Sequence, residues 1–293
     1  MESPEALTVI SGPTASGKSR AAVELAEKIG AEIVGADSQQ VYKYFDLGTA
    51  KPEPELLARV PHHLISVVEP LSPFSAAKYQ ALADAAIADI HARGKRVVVA
   101  GGTGLYLRIL LRGLIEAPGA DEQLREELEA FADREGNPAL HQRLAAVDPE
   151  SAKKLEVADR VRVIRALEIF EATGKPASQQ RQEHAFARPR YAFKWWVLSP
   201  PREKVYEAIN QRTRWMFEHG LVDEARSLAE RGFREAAPMR SVGYVEALAV
   251  ADGKMTLEAA INDTAQRTRH YAKRQVTWFK RETDAVFVEK LLS

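Results

Sequence analysis

Eight consecutive residues, GPTASGKS at positions 12–19, carry the clearest chemical signal in the chain. They fit the phosphate-loop pattern G-x-x-x-x-G-K-[ST] and stand between an apolar run, Leu7 to Ile10, and a helix-forming run, Arg20 to Ile29. In such a strand–loop–helix context, backbone N–H groups and the helix N-terminus surround a phosphate. The sequence therefore predicts a phosphate site formed by all eight residues: Gly12, Pro13, Thr14, Ala15, Ser16, Gly17, Lys18 and Ser19.

Particular side chains of this loop have predicted roles. Lys18 supplies a positive charge to a terminal phosphate, and the Ser19 hydroxyl is the usual ligand of Mg²⁺ in such loops. Gly12 and Gly17 allow the backbone geometry and the close approach that a side chain would block. The loop alone does not say whether a nucleotide or another diphosphate is held.

A carboxylate is expected beside the loop, because phosphate loops that bind nucleotides usually have a second strand ending in Asp. The apolar run Val97–Ala100 ends instead in Gly-Gly-Thr-Gly. Asp37 follows another short apolar run, Glu32–Ala36. The carboxyl ends of parallel strands face one crevice, so Asp37 and Thr103 are predicted to lie near the loop. Asp37 is alternatively a helix cap, a role that Asp often takes.

The pattern of elements predicts an α/β fold of the P-loop (nucleoside-triphosphate-hydrolase-like) class. Strand-like runs, among them Leu64–Val68, alternate with helix-like runs up to about residue 112, which indicates a parallel sheet with helices on both faces. Strand signals are absent between about residues 115 and 190, and a strand-like run, Phe193–Leu198, follows. We therefore predict a core domain of residues 1–114 and 191–293, interrupted by a small inserted all-helical domain, 115–190.

Composition favours an ordered protein without disulfides. Apolar residues make up 45% of the 293 residues, there is no cysteine, and the net charge is zero. The absence of a leader-like start and of a long apolar span predicts a cytoplasmic protein without membrane insertion. The charge is unevenly distributed, since residues 267–281 contain six basic residues and no acidic one. That stretch is either a solvated helix face or a surface for a phosphate backbone.

Several segments together resemble one family. GPTASGKS, ADSQQVYKYFDLGTAKP, GGTGLYLRILLRGL, DRVRVIRALEIFEATGKP, SVGYVEAL and TRHYAKRQVTWFKR are similar to segments of the tRNA dimethylallyltransferases (tRNA isopentenyltransferases). The resemblance runs from Leu7 to about Arg281. It implies that the loop binds the diphosphate of dimethylallyl diphosphate, with Mg²⁺ on Ser19. It also implies a monomer that prenylates the exocyclic N6 of the adenine immediately 3′ of the tRNA anticodon (tRNA position 37).

The resemblance also implies roles for individual residues. Asp37 is the catalytic base, and Thr103 binds substrate or the bridging oxygen. Arg212, in the segment IxxRTRWMFEHG, is a separate candidate for a further diphosphate contact. Residues implied to contact the tRNA anticodon stem-loop come from both predicted domains: Asp37, Ser38, Gln39, Gln40, Thr103, Arg125, Val161, Arg162, Val163, Ile164 and Arg165. Val161 stands where many family members carry Gln.

Three other functions stay open on the residues alone. A small-molecule kinase would use ATP on the same loop, with Asp37 deprotonating a hydroxyl group. An isopentenyltransferase acting on free adenine nucleotides would share the loop and Asp37 but would not need an RNA-binding insert. A non-catalytic RNA-binding protein would not need an intact Lys18 and Ser19.

Aromatic and histidine residues suggest no separate site. Trp195 and Trp196 are predicted to be strand core and flank, and His62-His63 lacks nearby carboxylates for a metal site. Tyr271, Trp278 and Phe279 are spaced as one buried helix face.

Overall fold

The computed structural model describes residues 6–114, 119, 121–184 and 188–291. Contacts between Cα atoms divide the chain into two compact units, Met1–Leu111 with Arg190–Ser293 and Arg112–Pro189. Among the described residues, no helix is long and apolar enough to span a membrane.

The first unit is built on a six-stranded sheet in which every pair of neighbouring strands is parallel. Its spatial order is β3-β2-β4-β1-β5-β6. The strands are β1 Leu7–Ser11, β2 Ala31–Gly35, β3 His62–His63, β4 Arg96–Gly101, β5 Phe193–Leu198 and β6 Ala285–Val288. The first strand lies between β4 and β5, so the phosphate loop that follows it emerges near the middle of the sheet.

Helices connect and cover these strands. In this unit they are α1 Lys18–Ile29, α2 Pro54–Leu57, α3 Ala76–Ala92, α4 Gly104–Arg112, α10 Arg202–Glu218, α11 Leu221–Leu228, α12 Tyr244–Ala251 and α13 Leu257–Phe279. Val9 and Ile10 point to opposite faces of the central strand, yet both are fully buried. Both faces of the sheet are therefore covered, as the fold class predicted from the sequence requires.

The second unit consists of helices in its described residues: α5 Glu122–Glu135, α6 Asn137–Val147, α7 Pro149–Lys154, α8 Arg160–Thr173 and α9 Ala177–His184. Its own apolar core includes Leu128 of α5, Leu140 and Leu144 of α6, and Leu167 of α8. These side chains are nearly inaccessible to solvent, so the unit buries a core independently of the sheet.

The structure differs from the sequence-based prediction at two strands. The predicted strand Leu64–Val68 is wrong, because the pairing with β2 is made two residues earlier, by His62–His63. Leu64 and Ser66 have φ angles of 63° and 54°, which an extended strand cannot accommodate. The edge strand β6 was not predicted. Trp195 is confirmed as core, and its indole Nε1 donates to Ser11 Oγ at 2.8 Å.

Gly101 at the end of β4 is expected to be intolerant of a side chain. A Cβ there would lie under 3.0 Å from the backbone of Ala36 on the neighbouring strand, which cannot move without breaking the sheet. We expect Gly101→Ala to lower the free energy of unfolding by about 1–3 kcal/mol in urea denaturation. Gly119→Ala is the matched control, since a Cβ at Gly119 would meet no atom within 4 Å. Equal unfolding midpoints for the two variants would contradict this account of β4.

Candidate active site

The phosphate loop joins β1 to α1 through two glycine-dependent turns. Gly17 has a φ angle of 82° and directly precedes α1, so a residue with a side chain would be strained there. A Cβ on Gly12 would lie under 3.0 Å from the carbonyl oxygen of Leu198 on β5. Within the loop, the Ser16 N–H donates to Pro13 O at 3.2 Å. The loop is thus held close against the sheet at the N-terminus of a twelve-residue helix.

The tips of β2 and β4 bring Asp37 and Thr103 into the same neighbourhood. Thr103 N–H donates to Ala36 O at 3.1 Å, and Ser38 N–H donates to Thr103 Oγ1 at 3.0 Å. Thr103 therefore fixes the backbone on both sides of Asp37. The two residues predicted to lie near the loop are thus held beside each other.

Asp37 has one occupied and one open carboxylate oxygen. Its Oδ1 accepts from Gln39 N–H at 2.9 Å and Gln40 N–H at 3.3 Å, which closes a turn. The alternative prediction of a helix cap is wrong, because no helix begins in the described residues 38–53. Within the described part of the chain, Oδ2 accepts no hydrogen bond. The turn and a chemical role are therefore compatible, because each uses a different oxygen.

Lys18 and Arg212 add positive charge next to this carboxylate. Burial lowers the pKa of Lys18 to about 8, the Asp37 carboxylate opposes that shift, and Arg212 adds to it. Burial also lowers the pKa of Arg212, again opposed by Asp37. Arg212 Nη2 donates to Thr14 Oγ1 at 2.7 Å, and its Nε is buried without a partner. Two desolvated cations beside one carboxylate suit a ligand that carries several negative charges.

A cavity of about 1080 Å³ opens beside the loop. Ser16, Gly17, Ser19 and Arg212 line its polar part, and Ser16 Oγ is buried without a hydrogen-bond partner. Its apolar wall includes Leu47, Leu56, Leu57, Ile65, Leu198 and Met216. Asp37 and Thr103 do not line the cavity, so it adjoins the loop away from the strand tips that carry these two residues.

The hydroxyl of Ser19 fits Mg²⁺ only together with a phosphate ligand. Across residues 6–114, 119, 121–184 and 188–291 there is no group of three or more His, Cys, Asp or Glu side chains that could hold a metal ion. Mg²⁺ prefers several oxygen ligands and often takes them from substrate phosphates. The donor set thus suits an ion that arrives with a diphosphate.

The three polar residues after Asp37 have different surroundings. Gln40 Nε2 donates to Thr49 O at 3.2 Å and Ala50 O at 2.8 Å, so this amide holds the 46–51 segment in place. Ser38 Oγ accepts from Thr103 Oγ1 at 3.3 Å. Gln39 Oε1 is buried without a partner, which makes it the amide in this run that lacks an internal bond.

In the helical unit, the predicted RNA-contacting residues fall into exposed and buried groups. Val161 is 76% exposed, although it is apolar, and Arg162 beside it is also exposed and paired with Asp159. Val163 and Ile164 are buried at 1% and 2% exposure and pack in the core of the unit. The side chains of these two residues therefore face the interior, since the predicted segment is one turn of an amphipathic helix.

Two arginines of this unit converge on one buried carboxylate. Arg125 Nη2 and Arg165 Nη1 donate to Glu168 Oε2 at 2.9 and 3.2 Å, and Glu168 is 2% exposed. Both arginine side chains keep more than a third of their surface accessible. Arg160, the third arginine of this helix start, is bonded to Asp133 and Glu129 of α5.

The basic stretch 267–281 lies mostly on α13. A surface groove of about 430 Å³ on this helix is lined by His270, Lys273, Arg274, Thr277, Trp278 and Arg281. The prediction that Tyr271 lies on a buried face is wrong, because it is 37% exposed, whereas Phe279 is fully buried. The buried face is formed by Ala272, Gln275 and Phe279, so the helix is rotated relative to the predicted aromatic stripe.

Sequence reasoning missed Gln275, which contacts the phosphate loop directly. Its Oε1 accepts from Thr14 N–H and its Nε2 donates to Gly102 O, both at 2.8 Å. One feature of the sequence could have indicated Gln275: it is a polar residue on the same helix face as the apolar residues Ala272 and Phe279.

The parallel sheet, with a phosphate loop after its central strand, defines a P-loop α/β protein. A model of the IPP transferase family matches residues 40–282. The chain is 63% identical over 282 residues to the tRNA dimethylallyltransferase of Myxococcus xanthus (strain DK1622), with 96% of this chain and 92% of that protein covered. It is 52% identical over 283 residues to the tRNA dimethylallyltransferase of Anaeromyxobacter dehalogenans (strain 2CP-C), with 96% of this chain and 94% of that protein covered.

Solved structures agree with these relatives. The tRNA isopentenylpyrophosphate transferase of Bacillus halodurans superposes with a TM-score of 0.71 at 39% identity, with 97% of this chain and 89% of that chain covered. A eukaryotic dimethylallyltransferase acting on tRNA superposes with a TM-score of 0.83 at 29% identity, with 96% and 73% covered. The chain belongs to the IPP transferase family.

Proposed function

We propose that this protein transfers the dimethylallyl group of dimethylallyl diphosphate to the exocyclic N6 of an adenine in tRNA, immediately 3′ of the anticodon. The observation that carries this proposal is the pairing of a phosphate loop with the carboxylate of Asp37 rather than with a carboxylate on β4. The β4 tip presents Gly101, Gly102 and Thr103 instead. Family membership favours the same reaction over the three alternatives.

Asp37 is proposed to act on the attacking amine. The nitrogen lone pair attacks C1 of the dimethylallyl group, the C1–O bond breaks, and the amine proton passes to the open Oδ2 of Asp37. A carboxylate is too weak a base to deprotonate an aryl amine beforehand, so proton transfer accompanies or follows attack. Thr103 holds the backbone on both sides of Asp37. It is proposed to contact the substrate as well.

The phosphate loop is proposed to stabilise the departing diphosphate. Loop amides, Lys18 and Arg212 provide hydrogen bonds and positive charge before any bond breaks, which favours charge developing on the leaving oxygen. Mg²⁺ held through Ser19 and the diphosphate would neutralise further negative charge. We propose that the enzyme acts as a monomer, as its resemblance to the family implies.

RNA contacts are proposed on each unit separately. In the core unit, Asp37 to Gln40 and the basic groove of α13 supply base-edge and phosphate contacts. In the helical unit, Arg125, Val161, Arg162 and Arg165 are proposed to meet the tRNA. Arginine suits both phosphate binding and stacking on unpaired bases. An adenine in a loop can be turned out of its stack, as chemistry on its amine requires.

An assay with three separate substrate mixtures tests the proposed function. Purified protein is given Mg²⁺ with unmodified tRNA and dimethylallyl diphosphate, with AMP and the same donor, or with tRNA and ATP. We expect prenylated adenosine in digested nucleosides only in the first mixture. Prenylated AMP without modified tRNA would favour the free-nucleotide enzyme. ATP consumption without prenyl transfer would favour a kinase, and tRNA binding without either reaction would indicate a non-catalytic protein.

The low pKa of Lys18 predicts a pH dependence of diphosphate affinity. Lys18 binds the anion only when protonated, so affinity is greatest below pH 8 and declines as pH rises through about 8. Between pH 7 and pH 9 we expect about a tenfold loss measured by calorimetry with inorganic diphosphate. Lys18→Arg controls for ionisation of the ligand, because a guanidinium stays protonated over this range. The same slope for both proteins would contradict the assignment.

A further inference from the structure

A buried amide on α13 connects the phosphate loop to the tip of β4. Gln275 is 7% exposed, and both ends of its side chain are used. Its Oε1 accepts from Thr14 N–H of the phosphate loop, and its Nε2 donates to Gly102 O at the tip of β4. Each bond is 2.8 Å long, within the usual range for such hydrogen bonds.

The bridge is continued by bonds already described at the strand tips. Gly102 directly precedes Thr103, whose Oγ1 accepts from Ser38 N–H, and Ser38 directly follows Asp37. The loop after β1 is thereby connected through Gln275 to the tip of β4, and from there to the tip of β2. The connected residues hold the groups proposed to bind the diphosphate and to accept the proton.

The local sequence makes room for this bridge. A Cβ on Gly102 would lie under 3.0 Å from Gln275 Nε2, so a residue with a side chain there would displace the amide. Thr14 is held a second time, by Arg212 through its hydroxyl group. The Thr14 N–H is therefore bonded within the protein, as the Ser16 N–H is, so neither amide is available to the ligand.

We infer that Gln275 is a positioning residue that fixes the phosphate loop relative to Asp37 and Thr103, an inference that rests on the proposed transfer reaction. Its amide touches no substrate. It sets the separation between the loop that holds the leaving group and the carboxylate beside the attacking amine. Displacements of about 1 Å in such a geometry can cost about 100-fold in rate while binding persists.

The test compares Gln275→Met, which keeps a side chain of similar length but removes both hydrogen bonds, with Gln211→Met. Gln211 is an exposed residue on α10 whose amide donates to Glu207 Oε1 at 3.2 Å. Three quantities are measured for each protein: the affinity and stoichiometry for inorganic diphosphate, kcat for prenyl transfer per diphosphate-binding site, and amide hydrogen exchange in peptides covering residues 12–19 and 101–105.

For Gln275→Met we expect diphosphate affinity within about threefold of the unchanged protein and kcat per site reduced at least about tenfold. Exchange should accelerate in both peptides, whereas Gln211→Met should change none of the three quantities. Gln275→Glu keeps the acceptor for Thr14 N–H but loses the donor to Gly102 O, so its exchange should accelerate mainly in 101–105.

Other outcomes separate the possible failures. An unchanged kcat per binding site would overturn the inference and leave Gln275 a structural residue. A loss of diphosphate affinity with normal kcat would also overturn it, because the amide would then serve binding alone. If the unchanged protein transfers no prenyl group, the proposed function fails. In that case amide hydrogen exchange alone tests whether Gln275 connects the loop to β4. Equal exchange in Gln275→Met and Gln211→Met would refute that connection.

Discussion

Replacing Asp37 by asparagine is expected to lower kcat for prenyl transfer by about 10²- to 10⁴-fold, the range usual for loss of a general base. Asparagine keeps an oxygen at the Oδ1 position, so it can still accept from Gln39 and Gln40 N–H and preserve the turn. It cannot take the amine proton at the other position. The loss should therefore appear in kcat, with little change in tRNA or diphosphate affinity.

Two further variants give this result its meaning. Asp37→Ala removes the turn as well as the base, so it should lower thermal stability in addition to activity. Asp223→Asn changes an exposed aspartate that is paired with Arg226 on the surface of α11, and it should leave kcat unchanged. An Asp37→Asn protein with kcat within about threefold of the unchanged enzyme would remove Asp37 from the chemistry and leave it a residue that only closes a turn.

The second large effect is expected at Lys18. Lys18→Met should lower kcat/KM for dimethylallyl diphosphate by about 10²- to 10³-fold, because it removes a charge placed where the leaving group becomes negative. The lowered pKa shows that burial disfavours the charged form of this side chain in the protein without ligand. Removing that charge should therefore not reduce, and can increase, the thermal stability of the protein.

Loss of activity without loss of stability is the signature that identifies a site residue here. Lys28→Met, an exposed lysine at the end of the same helix, should change neither quantity. If Lys18→Met unfolds several degrees earlier than the unchanged protein, Lys18 is a structural residue and its assignment to the diphosphate is wrong.

The core of the site could be predicted because its signals are local in sequence. The phosphate loop is a contiguous pattern between two regular elements, and β5 was predicted with its observed bounds, Phe193–Leu198. Asp37 and Thr103 each lie two residues after the end of a strand, and the geometry of parallel strands then places them together.

Elements that depend on distant partners could not be predicted in this way. The short edge strand β6 exists because it pairs with Trp195–Leu198. The predicted strand Leu64–Val68 failed because an apolar run does not reveal that Leu64 and Ser66 adopt left-handed backbone angles. The periodicity of the sequence predicted helix α13 but not which of its faces is buried. For this reason Tyr271 was assigned to the buried face and Gln275 was missed.

The quoted motifs also meet each other in ways that the sequence does not show. Tyr244 of the SVGYVEAL segment packs on Gly48 of the GTAKP segment, where a Cβ would collide with the ring. Its hydroxyl donates to Glu224, which also accepts from Leu47 N–H at 3.0 Å. Such contacts are decided by tertiary packing, and they explain why residues far apart in the chain support one site.

The most direct measurement is the mass of each nucleoside from an unmodified anticodon stem-loop after incubation with this protein, dimethylallyl diphosphate and Mg²⁺. We expect one adenosine, immediately 3′ of the anticodon, to gain one dimethylallyl group in place of one hydrogen, and Asp37→Asn to abolish this gain within the same incubation. If the stem-loop stays unmodified although the donor is saturating and RNA binding is demonstrated, the proposed transfer of a dimethylallyl group to tRNA is wrong.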